Sequence, residues 1–296
     1  MQGRILHSLS GFYDVLSDDD HQIYRTRARG NFRKRGITPL VGDFVEFADG
    51  YLLKILPRTN QLKRPPVANI DQVVLVVSAR QPDFSPNLLD RFLVSLAGHH
   101  IDAIIYLTKT DLLNDEEYQQ LTKLLTGYRE LGYQVLAPRQ IYDAAVLHDL
   151  QKQFAQRVTI FTGQTGAGKS SLLNHLAPSL QLATGAISQS LNRGRHTTRQ
   201  VSLYPLFDGL VADTPGFSSL NLSLLGVTLS DLAQRFPEFV AAAPHCKFRG
   251  CQHVAEPGCA VKQLLTAGQI MSTRYDDYLQ FRDELKQLRP VYNKKK

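Results

Sequence analysis

The first 64 residues carry short runs in which hydrophobic and polar positions alternate. Such runs, rich in β-branched and aromatic side chains, predict β-strands, and the glycines and the Asp49-Gly50 pair between them predict turns. The predicted strands cover residues 3–10, 11–15, 22–28, 43–48 and 51–55. Five short strands in this length indicate a small barrel of the OB type. We therefore expect an OB-like β-barrel domain at residues 1–64, which ends in a linker, Lys63-Arg64-Pro65-Pro66.

Beyond residue 69 the pattern changes to continuous apolar runs separated by amphipathic segments. A continuous apolar run is typical of a strand that is covered on both faces, as in a parallel sheet. The predicted strands cover residues 71–78, 101–107, 135–136, 158–161, 201–206 and 209–212, and predicted helices begin near residues 86, 115 and 144. This alternation predicts an α/β domain with a parallel sheet and helices on both sides. We assign it to residues 65–220.

The last part of the chain has helical periodicity. The predicted helices cover residues 229–236, 261–267 and 273–288, and Pro290 ends the last one. We assign residues 221–296 to a third, mostly helical domain.

A phosphate-binding loop follows the strand predicted at residues 158–161. Residues 163–170 match the pattern G-x-x-x-x-G-K-[ST]. Backbone N–H groups of such a loop turn toward a β-phosphate, and the N-terminus of the next helix adds a favourable dipole. Lys169 is expected to reach the β- and γ-phosphates, and Ser170 to coordinate Mg²⁺. The predicted nucleotide contacts here are Gly163, Gln164, Thr165, Gly166, Ala167, Gly168, Lys169, Ser170 and Ser171.

Guanine recognition is predicted from Thr108-Lys109-Thr110-Asp111, which resembles the [NT]-K-x-D element of GTPases. The Asp111 carboxylate would accept hydrogen bonds from N1–H and from the exocyclic amino group of guanine. Adenine has no such donor pair and would leave the carboxylate unpaired. The Lys109 stem would pack over the base. In most GTPases this element follows the phosphate loop, whereas here Asp111 precedes Gly163, so the order is that of a circularly permuted domain.

The second acidic element of the predicted site is Asp213-Thr214-Pro215-Gly216. We expect Asp213 to hold Mg²⁺ through water, and the N–H group of Gly216 to contact the γ-phosphate. Thr197 or Thr198 is the expected Mg²⁺ ligand of the first switch, and the sequence does not choose between them.

Phe217 stands where many GTPases place a glutamine that orients water. An apolar side chain cannot orient water, so we expect slow intrinsic hydrolysis that another group or a partner accelerates. His196 is a candidate for this group, and an RNA contact or a loop cap is its alternative role.

A metal site is predicted from the three cysteines of the chain, which all lie between residues 246 and 259. Cys246, Cys251, His253 and Cys259 offer three thiolates and one imidazole, the donor set of a closed structural Zn²⁺ site. His245 is a competing imidazole, and three buried free cysteines are the alternative interpretation. An odd number of cysteines does not favour a disulfide framework.

The formal net charge of +7 favours polyanionic partners such as nucleic acid. Six of the eleven residues from Arg25 to Arg35 are basic, and we expect this run in or beside a barrel loop. The chain contains no apolar stretch of membrane-spanning length and no signal-peptide h-region. We therefore expect a cytoplasmic protein without a membrane partner.

These motifs resemble those of the circularly permuted GTPases for small ribosomal subunit biogenesis. The resemblance covers essentially the whole chain and rests on the Thr-Lys-x-Asp element, the cysteine cluster and residues 68–72, 163–174, 194–199 and 213–217. It implies an OB domain, a central GTPase domain and a C-terminal zinc domain with His253 as the fourth ligand. It also implies GTP and GDP binding, the small subunit and its rRNA as partners, and subunit-stimulated hydrolysis late in assembly. We expect a monomer.

Two positions depart from the family pattern. Thr165 replaces the commoner serine, which is a conservative change. The usual Ser-Ala of the guanine-contacting loop is absent at residues 136–138, which leaves open whether this loop contacts guanine. Two other functions also remain open on the sequence alone, an ATP-dependent P-loop enzyme and an RNA-binding scaffold with a vestigial nucleotide pocket. The intact Lys169, Ser170 and Asp213 argue against the scaffold.

Overall fold

The computed structural model describes residues 1–34, 36–180, 182, 201–214 and 221–287. The chain divides into two compact units. The first comprises Met1–Phe84, His99–Lys123 and Tyr133–Ser218, and the second comprises Ser85–Gly98, Leu124–Gly132 and Ser219–Lys296. The three domains drawn from the sequence, at residues 1–64, 65–220 and 221–296, stay predictions.

The N-terminal part of the first unit is a closed five-stranded barrel with the strand order β1-β2-β3-β5-β4. Its strands are β1 (Gln2–Leu9), β2 (Phe12–Ser17), β3 (Ile23–Ala28), β4 (Phe44–Ala48) and β5 (Tyr51–Ile55), and a short helix, α1 (Gly30–Lys34), precedes β4. Ile5, Val15, Val45 and Leu52 are fully buried, which is expected when alternate side chains point into a barrel. The barrel predicted from the alternating pattern is confirmed.

Two details of the barrel region differ from the prediction. The linker expected at residues 63–66 is wrong, because β6 (Gln61–Lys63) and β7 (Pro66–Ala68) form an antiparallel hairpin. A two-stranded hairpin consists of edge strands only, and edge strands tolerate proline. The basic run starts in β3, as the strand predicted at residues 22–28 requires, but it continues into a short helix, α1, where a loop was one expectation.

The second sheet of the first unit has six strands in the order β10-β9-β8-β11-β13-β12. They are β8 (Gln72–Ser78), β9 (Asp102–Thr108), β10 (Gln134–Leu136), β11 (Val158–Gly163), β12 (Tyr204–Leu206) and β13 (Gly209–Asp213). All pairings are parallel except that of β12 with β13. All residues of β8 and β11 are buried, as the continuous apolar runs predicted.

Helices follow these strands as α2 (Pro86–Ala97), α3 (Asp115–Glu130), α4 (Ala144–Lys152) and α5 (Lys169–Leu176). Side chains of α4 and α5 pack against the sheet in one apolar cluster, which includes Leu150 and Leu172 from the helices and Ile104 and Phe161 from the strands. The α/β architecture predicted for this part of the chain is confirmed.

The strand predicted at residues 201–206 is divided between the two sheets. Only Tyr204–Leu206 pairs with β13. The N–H group of Leu203 donates to the carbonyl of Leu6 at 2.9 Å, and Ser202 forms an antiparallel bridge with His7. The side chains of His7 and Ser202 are also hydrogen-bonded, with 2.6 Å between Nδ1 and Oγ. Residues 202 and 203 therefore pair with the barrel.

The second unit is helical and has an aromatic core. Besides α2 it contains α6 (Pro237–Ala242), α7 (Ala260–Thr266) and α8 (Ser272–Gln287). Phe236, Phe239, Tyr278 and Phe281 are almost completely buried in its core. The helix predicted at residues 229–236 is wrong. A 3-10 turn, Leu232–Arg235, and then α6 occupy this region, because Pro237 cannot continue a helix but suits the first position of a new one.

No helix of the described residues combines the length and the apolar composition that are needed to cross a lipid bilayer.

Asn69 joins the barrel to the start of the parallel sheet. It is only 4% exposed and has a φ of +53°. Its Oδ1 accepts a hydrogen bond from the Thr59 N–H group at 2.9 Å, and its Nδ2 donates to the Gly42 carbonyl at 3.0 Å. Asparagine tolerates a positive φ better than most residues, so one side chain meets both the backbone and the hydrogen-bonding requirement.

We expect Asn69→Ala to lower the free energy of unfolding by about 2 kcal/mol, because the buried Gly42 carbonyl loses its donor and alanine is strained at this φ. Urea unfolding of the full chain followed by circular dichroism measures the change. Asn221→Ala is the matched control, since exposed Asn221 also accepts a backbone hydrogen bond, from Ser223 at 3.0 Å. Equal destabilisation of the two variants would contradict the role of Asn69.

Candidate nucleotide site and metal cluster

The phosphate loop lies between the end of β11 at Gly163 and the start of α5 at Lys169. A Cβ atom at Gly163 would lie 2.1 Å from the Val76 carbonyl oxygen on β8, and Gly166 and Gly168 have φ values of +82° and +88°. Only glycine fits all of these conditions. The loop therefore follows the compact path that the motif predicts; Gln164, Thr165 and Ala167 lie in it, and Ser171 lies in the first turn of α5.

Lys169, Ser170 and Asp213 meet at the carboxyl end of the sheet. Lys169 is only 8% exposed, and burial lowers the pKa of its ammonium group, although Asp213 acts in the opposite direction. Burial raises the pKa of Asp213, and Lys169 and Ser170 counteract this. The Ser170 hydroxyl donates to Oδ2 of Asp213 at 3.1 Å. The structure thus brings together residues that the sequence separates by 43 positions.

This arrangement fits a divalent cation. Oδ1 of Asp213 is buried and accepts no hydrogen bond from the described residues. A buried carboxylate oxygen without a donor is costly, and a cation is one way to satisfy it. A serine hydroxyl beside an aspartate is the oxygen donor set that Mg²⁺ takes in P-loop enzymes.

The Thr-Lys-x-Asp element binds directly to the phosphate loop. The Thr108 hydroxyl donates to the Ala167 carbonyl at 2.6 Å. The Lys109 ammonium donates to the Gly166 carbonyl at 2.8 Å and also to the Gln81 carbonyl. The element predicted to hold guanine and the loop predicted to hold phosphates therefore form one continuous structure.

Asp111 lies in a 3-10 turn, Thr110–Leu112, and is exposed. Residues that follow β10 hold this turn in place. The Thr110 hydroxyl donates to the Pro138 carbonyl at 2.5 Å, and Arg139 donates to the Thr110 carbonyl at 2.6 Å. The 136–138 loop is thus packed against the guanine element. Pro138 has no N–H group, so its backbone cannot donate to a base.

Several predicted site residues lie outside the part of the chain that the structure describes. They are His196, Thr197, Thr198 and Gly216. Their roles stay predictions from the sequence.

The predicted metal ligands form a cluster in the second unit. One ligand atom from each of Cys246, Cys251, His253 and Cys259 lies within 4.8 Å of the others. Nδ1 of His253 lies 3.4 Å from the Cys259 sulfur and 3.7 Å from the Cys246 sulfur. His245 is exposed and is not part of this cluster.

The chemistry of the cluster fits a metal ion. Burial, with the Cys259 and Cys246 thiols nearby, raises the pKa of the Cys251 thiol to about 12. A divalent cation would reverse this by stabilising thiolates. The backbone is held from α8, because the Tyr275 hydroxyl donates to the His253 carbonyl at 2.7 Å and Tyr278 to the Gln252 carbonyl at 2.6 Å. These supporting hydrogen bonds were not predicted from the sequence.

The barrel carries a surface of arginines on aromatic rings that sequence reasoning also missed. Arg25 and Arg27 lie over the Phe12 ring at 4.7 and 4.3 Å. Arg29 lies 5.9 Å from the Tyr51 ring, and Tyr51 is 44% exposed. The signal was present as the spacing of two in Arg25-x-Arg27, which places both side chains on one face once the segment is known to be a strand.

Comparisons with known proteins agree with this architecture. The family model of the RsgA GTPase matches residues 55–223, and that of the RsgA N-terminal domain matches residues 2–50. A small ribosomal subunit biogenesis GTPase RsgA from Latilactobacillus sakei is 58% identical, with 99% of both chains covered. A protein of the same name from Enterococcus faecalis is 55% identical, with 100% of this chain and 99% of that protein covered.

Two solved structures are similar over nearly the whole chain. YloQ, described as a circularly permuted GTPase, has a TM-score of 0.81 at 42% identity and covers 98% of this chain and 96% of its own. YjeQ from Thermotoga maritima has a TM-score of 0.84 at 30% identity and covers 97% and 99%. With the Thr-Lys-x-Asp element ahead of the phosphate loop and hydrogen-bonded to it, the chain belongs to the RsgA family of circularly permuted GTPases.

Proposed function

We propose that this GTPase serves the assembly of the small ribosomal subunit, binding the subunit and its rRNA in the GTP state and leaving after hydrolysis. The observation that carries the proposal is the pair of hydrogen bonds from Thr108 and Lys109 to the phosphate loop, which makes a single site for base and phosphates. The names of the full-length relatives supply the partner. A cytoplasmic place of action and a monomeric state belong to the same proposal.

The described residues suggest how the nucleotide is held. Asp111 accepts hydrogen bonds from guanine, and the Lys109 stem packs on the base plane. The N–H groups of the phosphate loop surround the β-phosphate at the N-terminus of α5. Lys169 neutralises charge on the β- and γ-phosphates. Because Lys169 is buried, its interaction with phosphate is screened little by water.

Mg²⁺, which a GTPase of this family uses, would offset phosphate charge beside Ser170 and Asp213. The Asp213–Ser170 hydrogen bond fixes the two oxygen donors before a nucleotide arrives. We propose that the switch residues, Thr197 or Thr198 with Gly216, complete this site, and that His196 or a group of the subunit orients the attacking water.

The metal cluster is proposed to hold one structural Zn²⁺ ion. Three sulfurs and one imidazole leave no open coordination position, so catalysis by this ion is not part of the proposal. Its role is to fix the turns between α6 and α8, since both Gln252 and His253 are also hydrogen-bonded to α8.

Asp111→Asn should weaken GTP binding by roughly 10- to 100-fold, because the variant loses a charge-assisted acceptor for guanine. Asparagine can donate to the 2-oxo group of xanthine, so XTP should replace GTP as the preferred nucleotide. Equilibrium binding and turnover with GTP, XTP and ATP measure this. Asp149→Asn on α4, also exposed, is the control and should keep the GTP preference. A variant at Asp111 that still prefers GTP would remove the guanine assignment.

Arg25→Ala combined with Arg27→Ala should weaken binding to purified small subunits. A plot of the logarithm of the binding constant against the logarithm of the salt concentration should also become less steep. Its slope should change by about one unit for each phosphate group that the variant no longer binds. Basal GTP hydrolysis should not change, because neither residue touches the nucleotide site. Lys152→Ala, an exposed cation on α4, is the control. Co-sedimentation with small subunits in GTP, GDP and a non-hydrolysable analogue is the measurement.

The same co-sedimentation experiment tests the function itself. The wild-type chain should bind best with GTP or the analogue, and small subunits should accelerate its hydrolysis. Equal binding in all nucleotide states, with no stimulation, would overturn the assembly cycle while leaving GTPase activity in place.

His253→Ala should lose about one equivalent of zinc per chain and should make the second unit sensitive to protease, because a structural metal site contributes directly to folding. His245→Ala is the matched control, since this exposed histidine adjoins Cys246 but lies outside the cluster. Metal analysis and limited proteolysis of the two purified variants provide the comparison. Retention of zinc by the first variant and loss by the second would exchange the two assignments.

A further inference from the structure

The second unit contains a buried group of charges that nucleotide and metal binding do not use. Arg274 on α8 is fully buried and forms ion pairs with Asp90 on α2 at 2.5 Å and with Glu238 on α6 at 2.6 Å. The side chain of Asp90 is also fully buried, and that of Glu238 is 7% exposed. Asp277, one turn after Arg274, is 8% exposed. One guanidinium thus lies among three carboxyl groups.

The charges of this group do not balance if all three carboxyl groups are ionised. Removing an unpaired ion from water costs several kcal/mol. Among the described residues, Asp277 and Tyr128 are the other groups that act on Asp90, and neither carries a positive charge. Asn87 donates a neutral amide hydrogen bond to Oδ1 of Asp277, and Tyr128 on α3 offers a hydroxyl. Arg91 on α2 is paired with Glu284.

Each of the two aspartates has one buried oxygen that lacks a hydrogen-bond donor. Oδ2 of Asp90 and Oδ2 of Asp277 are both buried, and neither receives a hydrogen bond from a donor of the described residues. The two side chains are hydrogen-bonding neighbours. Two ionised carboxylates have no hydrogen atom to donate to each other, whereas a carboxylic acid donates its O–H to a carboxylate. A single proton between them removes one negative charge and satisfies both oxygens.

We infer that Asp90 and Asp277 share one proton, which locks α8 to α2 in the folded second unit at neutral pH. The inference is independent of the nucleotide cycle and of the metal cluster.

The direction of the titration agrees with this geometry. Burial raises the pKa of Asp90 to about 8; Arg274 and the Tyr128 hydroxyl oppose this increase, and Asp277 adds to it. The unfolded chain titrates this aspartate near the ordinary pKa, about 3.9. The folded state therefore binds the proton more tightly. The stabilisation that this proton gives is complete below the pKa of the aspartate in the unfolded chain. It is lost as the pH rises toward about 8, so the second unit should become less stable over this pH window.

Carbon-13 NMR of the full zinc-loaded chain with labelled aspartate carboxyl groups tests this proton directly. One carboxyl signal should titrate more than about two pH units above the ordinary aspartate range. Asp277→Asn should move that titration toward the ordinary aspartate range, because an amide N–H replaces the shared proton as donor, whereas a pKa raised by burial alone would not move. Asp283→Asn on the exposed face of α8 is the matched control and should leave the signal unchanged, since Asp283 is 68% exposed.

The reciprocal variant Asp90→Asn keeps the test decisive if Asp277→Asn does not fold. Its amide can donate to Asp277, so the high titration should disappear. The free energy of unfolding can be measured with urea from the acidic to the neutral end of this pH window. It should fall less steeply with rising pH in either variant that folds than in the wild type. A wild-type spectrum in which every aspartate titrates in the ordinary range would overturn the inference, as would a high titration that Asp277→Asn leaves unmoved or that persists in Asp90→Asn.

Discussion

The nucleotide site depends on the contact between the ends of two strands. Thr108 ends β9, the phosphate loop begins at the end of β11, and β8 lies between these strands. The Thr108 hydroxyl and the Lys109 ammonium cross this gap to the Ala167 and Gly166 carbonyls. Because the donors follow the end of β9 and the acceptors lie in the loop that follows β11, the proposed base and phosphate contacts would be held at a constant separation before a ligand binds. This preorganisation reduces the ordering cost of binding.

The same contact explains why the order of the motifs does not matter. The free energy of a parallel sheet depends on which strands are neighbours and which faces are covered, and not on which strand comes first in the chain. Here the order β10-β9-β8-β11-β13-β12 places the ends of β9, β11 and β13 along one edge. Permutation changes the connections instead. Residues 202 and 203, which follow the predicted switch threonines, pair with β1 of the barrel before the chain enters β12.

The second unit is stabilised differently. Its aromatic core surrounds two polar centres, the cysteine–histidine cluster and the Arg274 ion pairs. In the first centre a metal ion would stabilise thiolates, and in the second the inferred proton would remove one negative charge. Helix α8 contributes to both, through Tyr275 and Tyr278 in the first and through Arg274 and Asp277 in the second. The proposed metal ion and the inferred proton would therefore both stabilise this helix.

The sequence alone determined the features that depend on local spacing. The glycine pattern of residues 163–168, the continuous apolar runs of β8 and β11, and the three cysteines with His253 each follow from geometry within a few residues, so their pattern is visible in the chain. Local signals also misled. Lys63 and Pro66 indicated a linker, although they pair in a hairpin.

Only the tertiary structure decided the contacts between distant residues. These include the hydrogen bonds of Lys109 with Gly166 and of Ser170 with Asp213, and the ion pair of Arg274 with Asp90. A hydrogen bond between residues far apart in the chain depends on which strands and helices become neighbours. That arrangement is fixed by burial of the whole core rather than by any local run of residues.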